Sequence, residues 1–278
     1  RIRELVARLT EQVVGALQRR QPQGGTLHIE DIQDQVELAL MRSGEHDVAR
    51  AYVLYREERS RARAAEKSAR DRQSPGAVLH VMDDGARRPL DLVALQRLLE
   101  AACEGLDGAA EPAAILETTL RDLYDGVPME EVRKSAILAA RALIEKDPAY
   151  SYVTARLLLN TIRLEVLGEE ASQQAMATRY AAYFPEFVRR GIDAELLDPE
   201  LAKFDLARIG RALQAERDLK FGYLGLQTLY DRYFLHVRGR RIELPQAFFM
   251  RVAMGLALNE KDREARAIEF YDVLSTFD

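Results

Sequence analysis

The sequence predicts a mainly α-helical protein: two related helical modules, the second opened by a short β-hairpin, then a third helical region. Three observations carry this. Glycine (16) and proline (9) are sparse across 278 residues. Apolar residues recur at three- and four-residue spacing along most of the chain, the period of a helix with one buried face. And a segment repeats at an offset of 100 residues. Glu30-Asp31-Ile32-Gln33 through Leu38-Ala39 aligns with Glu130-Glu131-Val132-Arg133 through Leu138-Ala139. Farther on, Val48-Ala49-Arg50 aligns with Thr154-Ala155-Arg156, so the second copy carries six more residues in the intervening loop.

The elements follow in order. Ile2, Leu5, Val6, Leu9, Val13, Ala16 and Leu17 form one stripe of a first helix, which Pro22-Gln23-Gly24-Gly25 breaks. A second helix from about Glu30 turns Ile32, Val36, Ala39 and Leu40 inward and stops at Ser43-Gly44. A third carries Val48, Ala51, Tyr52 and Tyr55 and continues as the charged run Arg56 to Arg63. Residues 64–77, small and charged and ending in Ser74-Pro75-Gly76, read as a linker. A hairpin then turns at Asp84-Gly85 between Val78–Val81 and Arg87–Leu90. Four helices follow it. The first aligns Leu92, Leu95, Leu99 and Cys103 on one face; the second carries Ile115, Thr119, Leu120 and Leu123 and ends at Asp125-Gly126. The third runs Met129 to Ile144, and the fourth about Tyr150 to Leu167, with Gly168 as C-cap.

From Glu169 the helices shorten and gain aromatic anchors at Tyr180, Tyr183, Phe184 and Phe187. Asp198-Pro199-Glu200 reads as a helix start. Residues 233–244 read as a hairpin turning at Arg238-Gly239, with two last helices from Gln246 to Leu258 and Asp262 to Phe277. The domain division expected is therefore 1–63, a linker 64–77, 78–168 and 169–278. Neither end carries a cap, so both are expected to be cut from a longer chain.

Composition narrows the function classes without naming one. The net charge is −5, with 31% charged and 47% hydrophobic residues, ordinary for a folded globular chain. No apolar run approaches membrane-spanning length, and Arg1-Ile2-Arg3-Glu4-Leu5 is no secretory signal, so no membrane partner is expected. One cysteine fits a reducing, cytoplasmic setting and permits neither an internal disulfide nor a Cys-rich zinc cluster. An acidic balance argues against nucleic-acid binding. His46, His80 and His236 have no partners at ligand spacing, so no metal is expected. Asp84-Gly85 and Asp125-Gly126 read as turns.

A hairpin plus four helices, with Tyr124-Asp125-Gly126-Val127 before the third and Asp147-Pro148-Ala149-Tyr150-Ser151-Tyr152 before the fourth, then Ala155-Arg156-Leu157-Leu158-Leu159, resembles the ATP-cone. ATP-cones are regulatory nucleotide-binding modules. Glu216-Arg217-Asp218-Leu219-Lys220-Phe221-Gly222-Tyr223, Leu229-Tyr230-Asp231-Arg232-Tyr233 and Glu269 through Phe277 resemble the class I ribonucleotide reductase large (α) chain just ahead of its catalytic barrel. The resemblance implies a truncated first cone at 1–63, a second, degenerate cone at 78–168, and at 169–278 a helical segment leading into an α/β barrel that this chain lacks. It implies reduction of ribonucleoside diphosphates to deoxy products for DNA synthesis, with ATP favouring activity and dATP inhibition. It also implies a small (β) subunit holding a metal-radical cofactor, and self-association of α chains. That chemistry needs three thiols about one ribose. This chain has only Cys103, on an apolar stripe, so no catalytic residue is expected within it.

The same resemblance locates effector binding. A cone usually draws cations from a Lys-Arg pair ahead of the hairpin Asp-Gly turn, from the third helix, and from the end of the fourth, because a triphosphate is held by charge-assisted hydrogen bonds. In the second copy Met82 and Asp83 stand in place of the pair, the fourth helix ends Leu164-Glu165-Val166, and only Arg133 and Arg88 remain as cations. That cone is expected to fold and not to bind nucleotide. In the first copy His28, Gln33, Arg56 and Arg59 are the expected effector contacts; a solvated face ion-paired with Glu57 and Glu58 is the competing reading for Arg56 to Arg63. Two rival functions frame the reductase reading. An ATP-cone transcriptional repressor would need a zinc ribbon that one cysteine cannot supply, whereas a stand-alone helical nucleotide-sensing or interaction protein stays open.

Overall fold

The computed structural model describes residues 2–20, 29–44, 47–52, 78–106 and 108–277. They fall into two compact units, Arg1–Ala77 and Val78–Asp278. The 22–25 breaker, the expected linker and the third helix beyond residue 52 lie outside the described residues.

The first unit holds α1 (Ile2–Arg20), α2 (Ile29–Arg42) and a helical stretch α3 at 47–52. Most of the stripes anticipated from spacing pack together: Val13 and Leu17 of α1 and Ala39 of α2 are buried, with Leu9, Ile32 and Val36 against them, whereas Val6, assigned to the same stripe, is 56% exposed. Gly44 ends α2 at φ 80°, a left-handed conformation that glycine adopts without cost. In α3 the expected face is wrong by one position. Val48 is 51% exposed and Ala51 is exposed, whereas Ala49 is buried; a small side chain marks a close helix contact better than a large one does.

The second unit begins with β1 (His80–Asp83) and β2 (Ala86–Pro89), antiparallel, His80 opposite Pro89. Asp84 and Gly85 both take positive φ, 47° and 77°, as a two-residue turn requires. A third strand, β3 (Val127–Pro128), adds parallel to β1, giving the order β2-β1-β3. Reading Asp125-Gly126 as a bare turn missed it, because two residues are too short to show a period. Helices α4 (Leu92–Cys103), α5 (Pro112–Asp122), α6 (Met129–Ala142) and α7 (Ala149–Leu167) follow. Asp91 caps α4 by accepting from the Ala94 N–H at 2.9 Å, and Gly168 closes α7 at φ 78°. Leu95 and Leu99 are buried with Ile115, Val127, Val132 and Ala136. Leu92, at the first turn of α4, is 48% exposed and does not join the stripe assigned to it.

Burial follows the internal repeat. Ala39 and Leu40 match Ala139 and Ala140 as buried positions, and Ala49 matches Ala155. Leu38 and Leu138 match as exposed ones, at 43% and 48%.

Beyond α7 come a 3-10 turn at Gln173–Ala175, α8 (Met176–Asp193), a second 3-10 turn at Pro199–Lys203, α9 (Leu206–Arg211), a third at Ala215–Lys220 and α10 (Tyr223–Arg232). A two-residue hairpin, β4 (His236–Val237) with β5 (Arg240–Arg241), leads to α11 (Pro245–Ala257) and α12 (Arg263–Ser275). Tyr180, Tyr183, Phe184 and Phe187 are buried, the anchors that the aromatic spacing indicated. A polar cluster sits inside this core. Asp218, fully buried, accepts from Arg163 Nη2 at 3.1 Å, Tyr180 OH at 3.0 Å and Gln246 Nε2 at 2.8 Å. The Tyr271 hydroxyl donates to Gln246 Oε1 at 2.7 Å. Burial still lifts the Asp218 carboxyl above its usual range, against the pull of Arg163 and its hydrogen bonds. Among the described residues no helix is long and apolar enough to cross a membrane.

Candidate functional site

Effector binding was expected at His28, Gln33, Arg56 and Arg59. Of these only Gln33 lies among the described residues, half-buried on α2 directly after Ile32; His28, Arg56 and Arg59 lie outside them. The geometry available is the α1–α2 pair. One groove of about 510 Å³ is apolar, lined by Val6, Leu9, Val13, Leu17, Ile32 and Val36 among others. A second, of about 560 Å³, is polar and carries Arg8, Gln12, Gln35 and Arg42. Arg8 and Arg42 are cations that spacing alone did not single out, since each reads as an ordinary solvated helix residue.

The matching surface of the second unit is fully described, and its chemistry differs. Met82 on β1 is exposed and carries no charge; Asp83 pairs with Arg88 at 3.7 Å. Arg87 is bound to Asp125, and Arg133 of α6 donates to Glu170 at 3.2 Å. Each of the cations Arg87, Arg88 and Arg133 thus has a carboxylate of its own chain beside it. An incoming polyphosphate would have to displace those carboxylates and approach them against like-charge repulsion. Asp125 does more than turn the chain. Its Oδ1 accepts from the His80 N–H at 2.8 Å and meets His80 Nδ1 at 3.0 Å. That backbone hydrogen bond, followed by the ring contact and the Arg87 charge, holds the Asp125 carboxyl below the usual range. His80 is therefore not isolated, as its sequence context suggested; its partner lies 45 residues away, beyond the reach of spacing arguments.

The end of α7 is equally committed. Glu165 accepts from the Tyr230 hydroxyl at 2.9 Å and from the Arg241 N–H at 2.7 Å, and its backbone carbonyl accepts from Arg240 Nε at 2.8 Å. Burial first, and this bond second, push the Tyr230 hydroxyl up to about 12.

Cys103 is half-buried rather than enclosed. Arg156 donates to the carbonyls on either side of it, Ala102 at 3.0 Å and Glu104 at 2.6 Å. Burial raises the thiol pKa and Arg156 only partly offsets it, so the thiol stays protonated near neutrality and is a poor nucleophile. Among the described residues no three His, Cys, Asp or Glu side chains gather as a metal site.

Comparison with known proteins gives two family matches: the ATP cone domain over residues 2–61, and the all-alpha domain of ribonucleotide reductase over residues 219–278. The chain is 38% identical over 281 aligned positions to the ribonucleoside-diphosphate reductase subunit alpha of Chlamydia muridarum, covering 99% of this chain and 27% of that protein. The Helicobacter pylori (strain 26695) subunit alpha is 34% identical over 200 positions, covering 71% of this chain and 24% of its own length. The zebrafish (Danio rerio) large subunit is 29% identical over 201 positions, again 71% of this chain and 24% of that protein. The chain thus spans about a quarter of the length of these relatives.

Proposed function

Because the chain belongs to the ribonucleotide reductase large-subunit family, we propose that it is the N-terminal regulatory part of a ribonucleoside-diphosphate reductase α subunit. In this reading ATP and dATP act at the first cone, ATP favouring activity and dATP inhibition. The second cone, 78–168, has lost nucleotide binding, and 169–278 leads toward the catalytic barrel. The enzyme works in the cytoplasm with a radical-bearing small subunit, and its α chains self-associate.

One observation carries the division of labour between the cones. Arg87, Arg88 and Arg133 are each paired with Asp125, Asp83 and Glu170, while Met82, Asp83 and Glu165 stand where the family resemblance puts positive charge for a triphosphate. The shared burial register of α2 and α6, and of Ala49 and Ala155, supports duplication of one ancestral fold. Cys103, protonated and alone, supports placing the chemistry outside this chain.

Calorimetric titration of the 278-residue chain with ATP and dATP tests the reading. Saturable binding is expected, abolished by Arg56→Glu with Arg59→Glu and indifferent to Arg133→Glu. Binding that survives the first pair of changes and disappears with Arg133→Glu would overturn it.

A further inference from the structure

Helix α7 is a wall of two cores at once. Tyr150, Val153 and Leu157 belong to the core of the second module; Ala155, Leu158, Leu159, Ile162 and Val166 belong to the core behind it. A helix buried on both faces cannot slide or rotate without opening both sides. Two polar locks fix its rotation. Arg163 reaches from α7 into the buried Asp218 cluster, also donating to Gln173 Oε1 at 2.5 Å. Glu165 gathers Tyr230, Arg240 and Arg241. A third tie lies at the other end, where Ser151 Oγ accepts from the Tyr223 N–H at 3.1 Å. The locks alternate in charge, so no half-turn of the helix can exchange one for the other.

The aligned stretch of the first copy lacks this pattern. In the register that matches Ala49 to Ala155, Arg56 stands at Ile162, Glu57 at Arg163, Arg59 at Glu165 and Ser60 at Val166. The second apolar face is interrupted and both lock charges are reversed.

We propose that α7 is a coupling shaft that joins the second module and the helical region behind it into one cooperative body. Any displacement of the module is thereby delivered to α10, the β4–β5 hairpin and the Asp218 cluster without a hinge. This goes beyond nucleotide sensing and does not depend on which module binds an effector.

Native-state hydrogen exchange on the 278-residue chain, with increasing denaturant, reads it directly. The slowest amides of α6 and of α11 are expected to exchange through one shared opening with the same denaturant dependence. Glu165→Gln removes the charge of a partly buried carboxylate with three partner groups and should lower protection in both helices by the same factor, at least roughly tenfold. Glu165→Arg should lower it further, with part restored when Arg241→Glu is added. Separate openings of different denaturant dependence for α6 and α11 would overturn the proposal, as would a Glu165→Gln effect confined to residues 223–241. Glu165→Gln keeps the test usable if Glu165→Arg does not fold. Nucleotide binding by the second module would count against the proposed function and would leave the shared opening unchanged.

Discussion

Asp218 and Asp125 are two aspartates whose surroundings push them in opposite directions. Asp218 is fully buried and its pKa is raised, so the folded state holds its proton more tightly than the unfolded chain. Its contribution to stability is complete below the ordinary carboxylate pKa and declines as pH rises through the raised value. Asp218→Asn should therefore flatten the acid side of the stability–pH curve. Asp218→Ala, which strands Arg163, Tyr180 and Gln246, should cost about 3–5 kcal/mol in urea unfolding and more than the Asn variant. Asp125 is exposed and its pKa is lowered. Its contribution is present above the ordinary carboxylate range and lost as pH falls through the lowered value. The protection factor of the His80 amide, its exchange rate relative to an unstructured peptide at the same pH, should be high at neutral pH and fall in acid, and Asp125→Asn should abolish that dependence; an unchanged profile would refute the anchoring role.

At the scale of elements, the helices follow from apolar spacing because each buries a stripe that recurs every three or four residues. Val13 and Leu17, Leu95 and Leu99, and the four aromatics of α8 all lie where that period puts them. What the period does not encode is long-range pairing. The β3 strand, the His80–Asp125 contact and the Arg163–Asp218 pair join residues 45 to 55 positions apart, and nothing local marks them. Of the effector contacts expected in the first module, only Gln33 lies among the described residues. Close approaches are marked better, by glycine. A Cβ on Gly210 of α9 would meet the Ala181 carbonyl oxygen of α8 at 3.0 Å and Phe184 Cβ at 3.3 Å. Since neither is the free end of a flexible chain, Gly210→Ala should destabilise the α8–α9 contact by about 1–3 kcal/mol, read as a lowered urea midpoint.

For the molecule as a whole, the division into residues 1–77 and 78–278 lets ligand binding be assigned to a unit by that unit's own unfolding transition. If effectors bind only the first module, ATP at about one hundred times its dissociation constant should stabilise that unit by about 2.7 kcal/mol. In scanning calorimetry of the 278-residue chain, the transition belonging to residues 1–77 should move upward and that of 78–278 should stay in place. A shift of the second transition would mean that residues 78–278 bind nucleotide as well. The net charge of −5 averages over the whole chain and does not show how each guanidinium is paired locally, as Arg87 is with Asp125 and Arg133 with Glu170.

The double burial of α7 bears on how such proteins gain and lose parts over evolutionary time. A module tethered by its ends can be excised or duplicated at little expense to its neighbours. Removing residues 78–168 would instead strip Leu158, Leu159, Ile162 and Val166 from the lining of what remains, and leave Asp218 without its guanidinium. Substitutions at the surface of residues 78–168 are therefore open to drift, whereas the segment itself is held in place by the two cores that α7 completes.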